Sequence, residues 1–293
     1  MKTTVVITAK VNNFSCRLIL LLFTVIPIMP SANAQAISRE EFKDSLSRVP
    51  YFSIHKDNYF ITGIPTNTSI NRSTSDAKYQ ISFKQMITRT ALPWETYLFL
   101  TYSQKAFWDV YKESFPFREI NFNPSVGVGR AIFGKDDRLN GIASLMYEHE
   151  SNGRDSTFSR SWNRISLEYA ARISSKITTR VKVWIPFAYQ RGNPDILDYV
   201  GLGQIDFSYE LKPNQIYFEL MLRKGRKFDF KGAFRPRIYY NPFRNRSNQY
   251  FMLEWYVGQA ENLMDYERSS SMVRIGYVIK SNELNILNGH HVP

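Results

Sequence analysis

The sequence predicts an all-β protein, a transmembrane antiparallel β-barrel of twelve strands. The first observation is an alternation: from Ile205 to Leu211, apolar residues at odd positions alternate with Asp206, Ser208 and Glu210, and successive side chains of a strand face opposite sides. The second is composition, because charges crowd the polar faces while the 21 Phe and 18 Tyr gather near segment ends, as in an interfacial girdle. The third is length, since the segments run about 9–11 residues, as tilted membrane strands do. A soluble β-sandwich also alternates, but these three features together favour the barrel.

Residues 1–34 are typical of a secretory signal peptide. Three basic residues precede an apolar run over 18–28, and small residues follow before a cleavage site ahead of Gln35. The run is too short to cross a membrane as a helix. The one cysteine, Cys16, is removed with this segment, so we expect no thiol or disulfide chemistry in the mature chain.

The rest of the chain divides into three parts. Residues 35–50 predict a polar, partly helical periplasmic lead-in, residues 51–281 the transmembrane barrel, and residues 282–293 a C-terminal tail without alternation, expected outside the wall. An even strand number is the rule for bacterial single-chain barrels. The twelve predicted strands are residues 58–65, 78–88, 95–107, 120–132, 140–149, 161–172, 179–189, 203–211, 216–224, 232–240, 249–259 and 271–280.

Turn-forming stretches between these strands predict a single domain. Residues 67–76 are rich in Thr, Ser and Asn, and Lys212-Pro213-Asn214 is a tight turn of the kind that joins antiparallel neighbours. No segment after the signal approaches the ~20 apolar residues of a membrane helix.

The charge balance indicates a lipid rather than a nucleic-acid partner. Without its first 34 residues the chain keeps 35 Lys and Arg against 26 Asp and Glu. Such an excess can indicate nucleic-acid binding. In a secreted chain whose basic residues are scattered through alternating strands, anionic lipid headgroups or a polar lumen are the better explanation, so no nucleic-acid partner is expected.

One stretch carries the parts of a hydrolytic site. His149, Ser151 and Asn163 stand where a strand leads through a polar turn into the next strand, and such residues can act as base, nucleophile and orienting group. The other three His lie before the first clear strand or in the polar tail. A bland alternative is open at this point, because Ser and Asn near turns often serve only local backbone groups.

The parity of the two strands places these side chains on one surface. His149 and Ser151 are two residues apart, so they share a strand face with Cβ atoms roughly 6.5 Å apart. That face also carries Tyr147, and Asn163 shares its own face with Ile165. All three candidates therefore project from the apolar side of the strands.

The motifs around these residues resemble the outer-membrane phospholipase A family of Gram-negative bacteria. They are Tyr147-Glu148-His149-x-Ser151-Asn152-Gly153-Arg154, Ser159-Arg160-Ser161-Trp162-Asn163-Arg164, Tyr102-Ser103-Gln104-Lys105 with Trp108, Pro116-Phe117-Arg118-Glu119 with Asn121, and Asn193-Pro194-Asp195-Ile196. The resemblance covers most of the chain after the signal. It implies a twelve-stranded outer-membrane barrel whose catalytic residues lie on its outer surface.

The resemblance also implies roles for single residues. Ser151 would attack an acyl ester of a glycerophospholipid, His149 would be the general base, and Asn163 would hold the imidazole in place of the usual Asp. The activity would cover both acyl positions (A1 and A2) and lysophospholipids. An Asn leaves no unpaired charge beside lipid, where a carboxylate would be costly.

A calcium ion at a homodimer interface is the further implication of the resemblance. Its ligands would be the Arg154 carbonyl, the Ser159 hydroxyl and Ser114 of the other subunit, which are hard oxygens that Ca²⁺ accepts. The ion and the Gly153 N–H would stabilise the oxyanion. Gln104 matches a polar interface residue of the family. Association would complete the site and so activate the enzyme.

Several features depart from the family pattern, and two alternative functions stay open. Glu150 stands where Asp is common, the turn over 155–158 differs, and Gly192 stands where an acidic residue could support a second calcium site, so none is assigned. The chain also lacks the terminal aromatic residue of such barrels. The alternatives are a non-enzymatic barrel, such as a small porin, and a barrel deacylase acting on lipopolysaccharide.

Overall fold

The central feature of the fold is one antiparallel sheet that closes on itself. The computed structural model describes residues 37–90, 92–243 and 247–288. A short strand, β1 (Phe52–Ser53), pairs only with β3, at the lower edge of the sheet. The following twelve strands, β2 to β13, pair in sequence order, and β13 pairs back onto β2. The predicted twelve-stranded barrel is confirmed.

The strands follow the predicted segments to within a few residues. The largest difference is at β5, which begins three residues before the predicted 120. The barrel strands are β2 (Asn58–Pro65), β3 (Asp76–Met86), β4 (Thr96–Trp108), β5 (Phe117–Phe133), β6 (Leu139–Ser151), β7 (Ser161–Ser174), β8 (Ile177–Phe187), β9 (Gly203–Lys212), β10 (Ile216–Lys224), β11 (Gly232–Tyr240), β12 (Gln249–Gly258) and β13 (Ser270–Ile279).

Two α-helices and three 3₁₀ turns accompany the barrel in the described ranges. The helices are α1 (Arg39–Arg48) and α2 (Leu197–Val200), and the 3₁₀ turns are Pro93–Glu95, Ser156–Phe158 and Glu283–Asn288. None of the helices in these ranges is both long and apolar enough to cross a membrane. The predicted signal peptide, residues 1–34, and the chain end, residues 289–293, lie outside the described residues.

The outer surface of the barrel is an apolar belt. In β6, Leu145 is 53% exposed while Glu148, on the other face, is 2% exposed. Every barrel strand contributes at least one large apolar side chain to the outside: Phe60, Ile81, Leu100, Val126, Leu145, Ile165, Ile185, Ile205, Leu222, Phe234, Leu253 and Ile275 are all exposed. An apolar outer band around a polar interior is the pattern of bacterial outer-membrane barrels. The chain therefore crosses the outer membrane with its strands.

The two ends of the barrel differ in the length of their connections. At one end the connections are residues 66–75, 109–116, 152–160, 188–202, 225–231 and 259–269; at the other they are 87–95, 134–138, 175–176, 213–215 and 241–248. Outer-membrane barrels have long extracellular loops and short periplasmic turns. The 152–160 loop, which joins β6 to β7, thus lies at the extracellular end.

Paired charges fill the upper half of the lumen. Arg274 donates to Asp76 at 2.7 Å and to Glu261 at 2.6 Å, while Lys78 donates to Glu261 at 2.9 Å and also to Glu254. All five side chains are buried. A buried charge is tolerated when it is paired with an opposite charge and hydrogen-bonded. The members of this network meet that condition for one another, and their side chains occupy the interior.

An apolar plug fills the lower, periplasmic end. Helix α1 begins at a capping box, in which Ser38 and Glu41 each bond the other's backbone N–H. Its buried face presents Phe42 and Leu46 to a cluster that includes Tyr97 and Met146. The apolar face of the helix thus closes the periplasmic mouth of the barrel.

The C-terminal segment over 283–288 differs from its expected position outside the wall. Glu283 accepts a hydrogen bond from Lys84 at 2.7 Å and contacts His55 at 2.9 Å, and Leu287 joins the apolar plug. Its lack of strand alternation has a physical cause, because the segment is a 3₁₀ turn. It is held in the lumen by the contacts of Glu283 with Lys84 and His55, and by Leu284 and Leu287, which pack in the apolar cluster.

Candidate active site

The β6–β7 pair brings the predicted catalytic residues together. His149 stands directly opposite Asn163 in the register, and Ser151 stands opposite Ser161. Tyr147 and Ile165, which have the parity of these residues, are 46% and 47% exposed. The three candidates therefore lie on the outer face of the barrel, close to its extracellular end.

A hydrogen bond joins the imidazole to the amide across the two strands. Nδ1 of His149 lies 2.8 Å from Oδ1 of Asn163, and the Tyr147 hydroxyl donates to the same Oδ1 at 3.2 Å. An amide oxygen is an acceptor only, so Nδ1 carries the proton. That tautomer leaves Nε2 with a free lone pair. The amide thus sets the protonation pattern that a general base needs.

Ser151 is the last residue of β6 and shares the His149 face. Its side chain is half-buried. It forms no hydrogen bond with any described residue, and His149 is among the residues that it does not bond. Catalytic hydrogen bonds are often long before substrate binds. The structure therefore brings His149 and Asn163 into contact, and the Ser151 hydroxyl lies on the same face without a hydrogen bond to them.

A charge network behind the site fixes the two strands. On the lumen side, Arg164 donates to Glu148 and to Glu150, at 2.9 Å in each case, and Lys182 pairs with Glu148. Trp162 Nε1 also donates to Glu150, at 3.1 Å. Because strand residues alternate between faces, bonds among lumen-facing neighbours hold His149 and Asn163 in place on the opposite face.

Asn123 of β5 supports the His149 backbone. Pro124 stands opposite His149 by the register and has no N–H to donate, and the ladder lacks paired residues there, between Phe122 and Ser125. The Asn123 side-chain amide donates to the His149 carbonyl instead, at 2.7 Å. Asn123 is not among the site residues that the sequence predicts. A proline within a predicted strand, next to an amide side chain, was the signal for it.

Asn152 organises the loop that follows Ser151. This buried side chain donates to the Phe158 carbonyl at 2.9 Å and accepts from the Arg154 and Arg160 N–H groups. Gly153 has a φ of 66°, and a Cβ there would lie 2.9 Å from the Phe122 ring. Glycine suits the position for both reasons, and the loop returns directly to β7.

Comparison with known proteins identifies the family. A sequence model described as phospholipase A1 matches residues 36–279. The chain belongs to the phospholipase A1 family. Phospholipase A1 of Salmonella typhimurium is 28% identical over 219 residues, which is 73% of this chain and 72% of that protein. Membership makes this outer-membrane barrel a phospholipase.

Solved structures share the fold of this phospholipase. The crystal structure of the Salmonella typhi outer-membrane phospholipase dimer with bound calcium has a TM-score of 0.72 and 24% identity, and covers 84% of this chain and 99% of its own. An active-site variant of Escherichia coli outer-membrane phospholipase A, with an asparagine replaced by alanine, has a TM-score of 0.70 and 22% identity over 83% and 98% of the two chains. At this identity the likeness concerns the fold.

The residues expected to hold calcium lie in two extracellular loops of this phospholipase. Arg154 and Ser159 are in the 152–160 loop, and Ser114 is in the 109–116 loop with a φ of 64°. Within the described ranges, no cluster of three or more His, Cys, Asp or Glu could hold a metal ion. The implied donors are carbonyl and hydroxyl oxygens, and no described group donates a hydrogen bond to the Arg154 carbonyl or the Ser159 hydroxyl. Their chemistry fits Ca²⁺.

The Arg154 side chain ties the 152–160 loop to β5. Its guanidinium pairs with Glu119 at 3.3 Å and also donates to the Arg118 carbonyl, both on β5. The carbonyl of Arg154 is thereby placed by its own side chain. Gln104, the other residue matched to an interface, accepts a hydrogen bond from Tyr102 at 2.9 Å, and both lie on the outer face of β4.

Proposed function

We propose that this phospholipase cleaves acyl esters of glycerophospholipids with Ser151 as nucleophile, His149 as general base and Asn163 as the orienting residue. The observation that carries the proposal is the 2.8 Å contact between His149 Nδ1 and Asn163 Oδ1, on the lipid-facing side and beside Ser151. The asparagine in the active site of the Escherichia coli protein supports the same role for Asn163.

The proton moves in a short cycle. Nε2 of His149 takes the hydroxyl proton of Ser151 as Oγ attacks the ester carbonyl, and the imidazolium then gives that proton to the leaving alcohol. Water repeats the sequence on the acyl-enzyme and releases the fatty acid. Asn163 stabilises the correct tautomer throughout. Its neutral amide avoids the cost of a carboxylate beside hydrocarbon.

The developing oxyanion needs donors. The Gly153 N–H, two residues after the nucleophile, is the proposed protein donor. A calcium ion held by the Arg154 carbonyl, the Ser159 hydroxyl and Ser114 of the partner subunit would supply further electrostatic stabilisation when bound. The loop that Asn152 closes sets the positions of the first two ligands.

Dimerisation is the proposed switch. The Salmonella typhi protein crystallised as a dimer with bound calcium, and a single chain provides only part of the proposed ligand set. The outer face of β4 to β6 offers an apolar surface with Leu100, Val126 and Leu145 exposed, and with Gln104 as a polar contact. Association through that face would join the loops of two subunits and raise activity.

The test is hydrolysis of phospholipid in detergent micelles, with calcium and with excess chelator. We expect hydrolysis only with calcium, and its loss in Ser151→Ala. Ser161→Ala is the matched control, because Ser161 lies opposite Ser151 on the same face, and it should stay active. A folded Ser151→Ala variant with wild-type activity would exclude this nucleophile.

Calcium binding is tested separately by titration calorimetry and by crosslinking. Ser159→Ala should weaken both calcium binding and calcium-induced dimer formation, while Ser73→Ala, in the 66–75 loop, should change neither. Unchanged binding in Ser159→Ala would remove Ser159 from the ligand set and leave the assignment of Ser151 intact.

A further inference from the structure

The β10–β11 loop, residues 225–231, presents two bare aromatic rings. Phe228 and Phe230 are 112% and 107% exposed, as much as in an extended peptide. Other large apolar side chains of the extracellular loops are partly covered, such as Phe158 at 59%. Two unpacked phenylalanines on one loop are costly in water, and exposed apolar groups of this kind mark interaction sites.

The loop is held in shape by a lysine. Nζ of Lys224 donates to the Lys227 carbonyl at 2.6 Å, the Lys231 carbonyl at 3.2 Å and the Asp229 carboxylate at 3.1 Å. The Gly225 N–H donates to the Lys231 carbonyl at 3.0 Å and closes the base of the loop. Because its backbone is fixed from within, the loop displays its rings rather than folding over them.

The next loop along the rim anchors it from the side. Asp198 of α2 pairs with Arg226 at 2.9 Å and with Lys227 at 2.7 Å. The Lys231 ammonium lies 4.3 Å from the centre of the Tyr199 ring, which is a cation–π contact. These contacts hold the cations at the foot of the loop, next to the rings.

The charge of this region is positive. Lys224, Arg226, Lys227 and Lys231 stand against the carboxylates of Asp198 and Asp229 only, so two positive charges remain. The loop also leaves the barrel at the extracellular end, next to the apolar outer belt. Aromatic rings with adjacent cations bind membrane interfaces that contain anionic lipid.

We infer that the 225–231 loop is a membrane-contact element, in which Phe228 and Phe230 enter the outer leaflet beside the barrel and the neighbouring cations bind anionic lipid headgroups. Strands β8 and β9 lie between the loop and the β6–β7 pair, so this contact is separate from the proposed catalytic site. It would fix the height and tilt of the barrel on its own side.

A single thiol reports on the position of the loop. The one native cysteine, Cys16, lies in the predicted signal peptide, so Phe228→Cys gives the mature protein a unique site for an environment-sensitive fluorophore. Ser73→Cys, on the exposed tip of the 66–75 loop, is the matched control at the same end. The vesicles are made of ether-linked phosphatidylcholine, alone or with ether-linked phosphatidylglycerol, since a phospholipase cannot hydrolyse ether bonds.

The expected result has two parts. The label at 228 should show a blue-shifted emission that is quenched by lipids spin-labelled on the acyl chain, and the quenching should increase when phosphatidylglycerol is present. The label at 73 should be quenched by aqueous iodide instead. Equal iodide quenching of the labels at 228 and 73 would overturn the inference. If phosphatidylglycerol does not change the acyl-chain quenching at 228, the proposed binding of anionic lipid would be overturned.

Discussion

Two hydrogen-bond donors share one amide oxygen at the proposed site, and together they fix the orientation of that amide. The Asn163 Oδ1 receives both the His149 Nδ1–H and the Tyr147 hydroxyl. The second donor limits rotation of the amide, which could otherwise turn its NH₂ group toward the imidazole. We therefore propose that Tyr147 positions the Asn163 amide.

Removal of the Tyr147 hydroxyl should slow the enzyme moderately. Tyr147→Phe loses one hydrogen bond, worth about 0.5–1.5 kcal/mol, so we expect a roughly two- to tenfold fall in kcat with little change in KM. Tyr277→Phe, at another outward-facing tyrosine on β13, is the control and should match wild type. An unaltered kcat in Tyr147→Phe would show that the amide is fixed without the hydroxyl.

The support of His149 by Asn123 can be tested with a double-mutant cycle. Asn123→Ala leaves the His149 carbonyl without its donor, a loss of about 1–3 kcal/mol for a buried polar group. Pro124→Ala restores a backbone N–H opposite His149, so it should reduce the loss caused by Asn123→Ala. Urea unfolding in detergent and hydrolysis rates measure the effect. Strictly additive losses would contradict the coupling.

At the scale of elements, the strands can be predicted from the alternation of apolar and polar residues. The positions of segments that lack this alternation cannot. An apolar face and a charged face repeat along β2 to β13, and this repeat predicts all twelve barrel strands. The same parity predicted that His149 and Asn163 face outward, and the structure places them so. Long-range contacts leave no such local trace. The positions of α1 and the 283–288 turn depend on partners such as Tyr97 and Lys84, far away in sequence.

The site shows the same division. The motif indicated His149, Ser151 and Asn163, but not Asn123, because its partner is a backbone carbonyl on the next strand. The role of Asn152 as the centre of its loop also needed the structure, since its bonds span residues 154–160. Spacing can suggest which side chains share a face, whereas bonds to distant backbone groups follow from the fold.

The loop between β12 and β13 is pinned by a carboxylate that should stay ionised in acid. Burial alone would raise the pKa of Glu261, but the charges of Arg274 and Lys78 outweigh burial and lower it to about 2. A folded-state pKa below the ordinary 4.5 means that this stabilisation is complete above about pH 4.5 and is lost as pH falls through about 2.

Glu261→Gln should therefore be less stable than wild type at neutral pH, with a difference that narrows as pH falls from about 4.5 to about 2. Thermal unfolding of the folded barrel in detergent at several pH values measures it. Glu113→Gln, at an exposed position of the 109–116 loop, is the control. A difference that stays constant over this pH range would contradict the assigned ion pairs.

At the scale of the whole molecule, the barrel is filled rather than open. The upper lumen holds the Arg274–Asp76 ion network, and the lower lumen holds Phe42, Leu46 and Leu287. A porin needs a continuous aqueous path. The filled interior therefore argues against the alternative that the protein is a non-enzymatic channel. It is consistent with a function carried out on the outer wall.

Reconstituted protein should show no stepwise ion conductance in planar bilayers. Leu46→Asp, which disturbs the lower plug alone, should also be silent because the ion network above it still closes the lumen. Regular opening steps in wild type would contradict the filled lumen.

The proposed site lies on the outer wall of the barrel, and this position determines which concentration of substrate the enzyme responds to. At such a site, lipid would reach His149 and Ser151 by lateral diffusion within one leaflet, so the reaction would run in two dimensions. Its rate should follow the mole fraction of substrate in the surface, and not the number of moles per litre. Inert detergent added at constant bulk lipid would then dilute the substrate and slow each turnover, although nothing inhibits the enzyme.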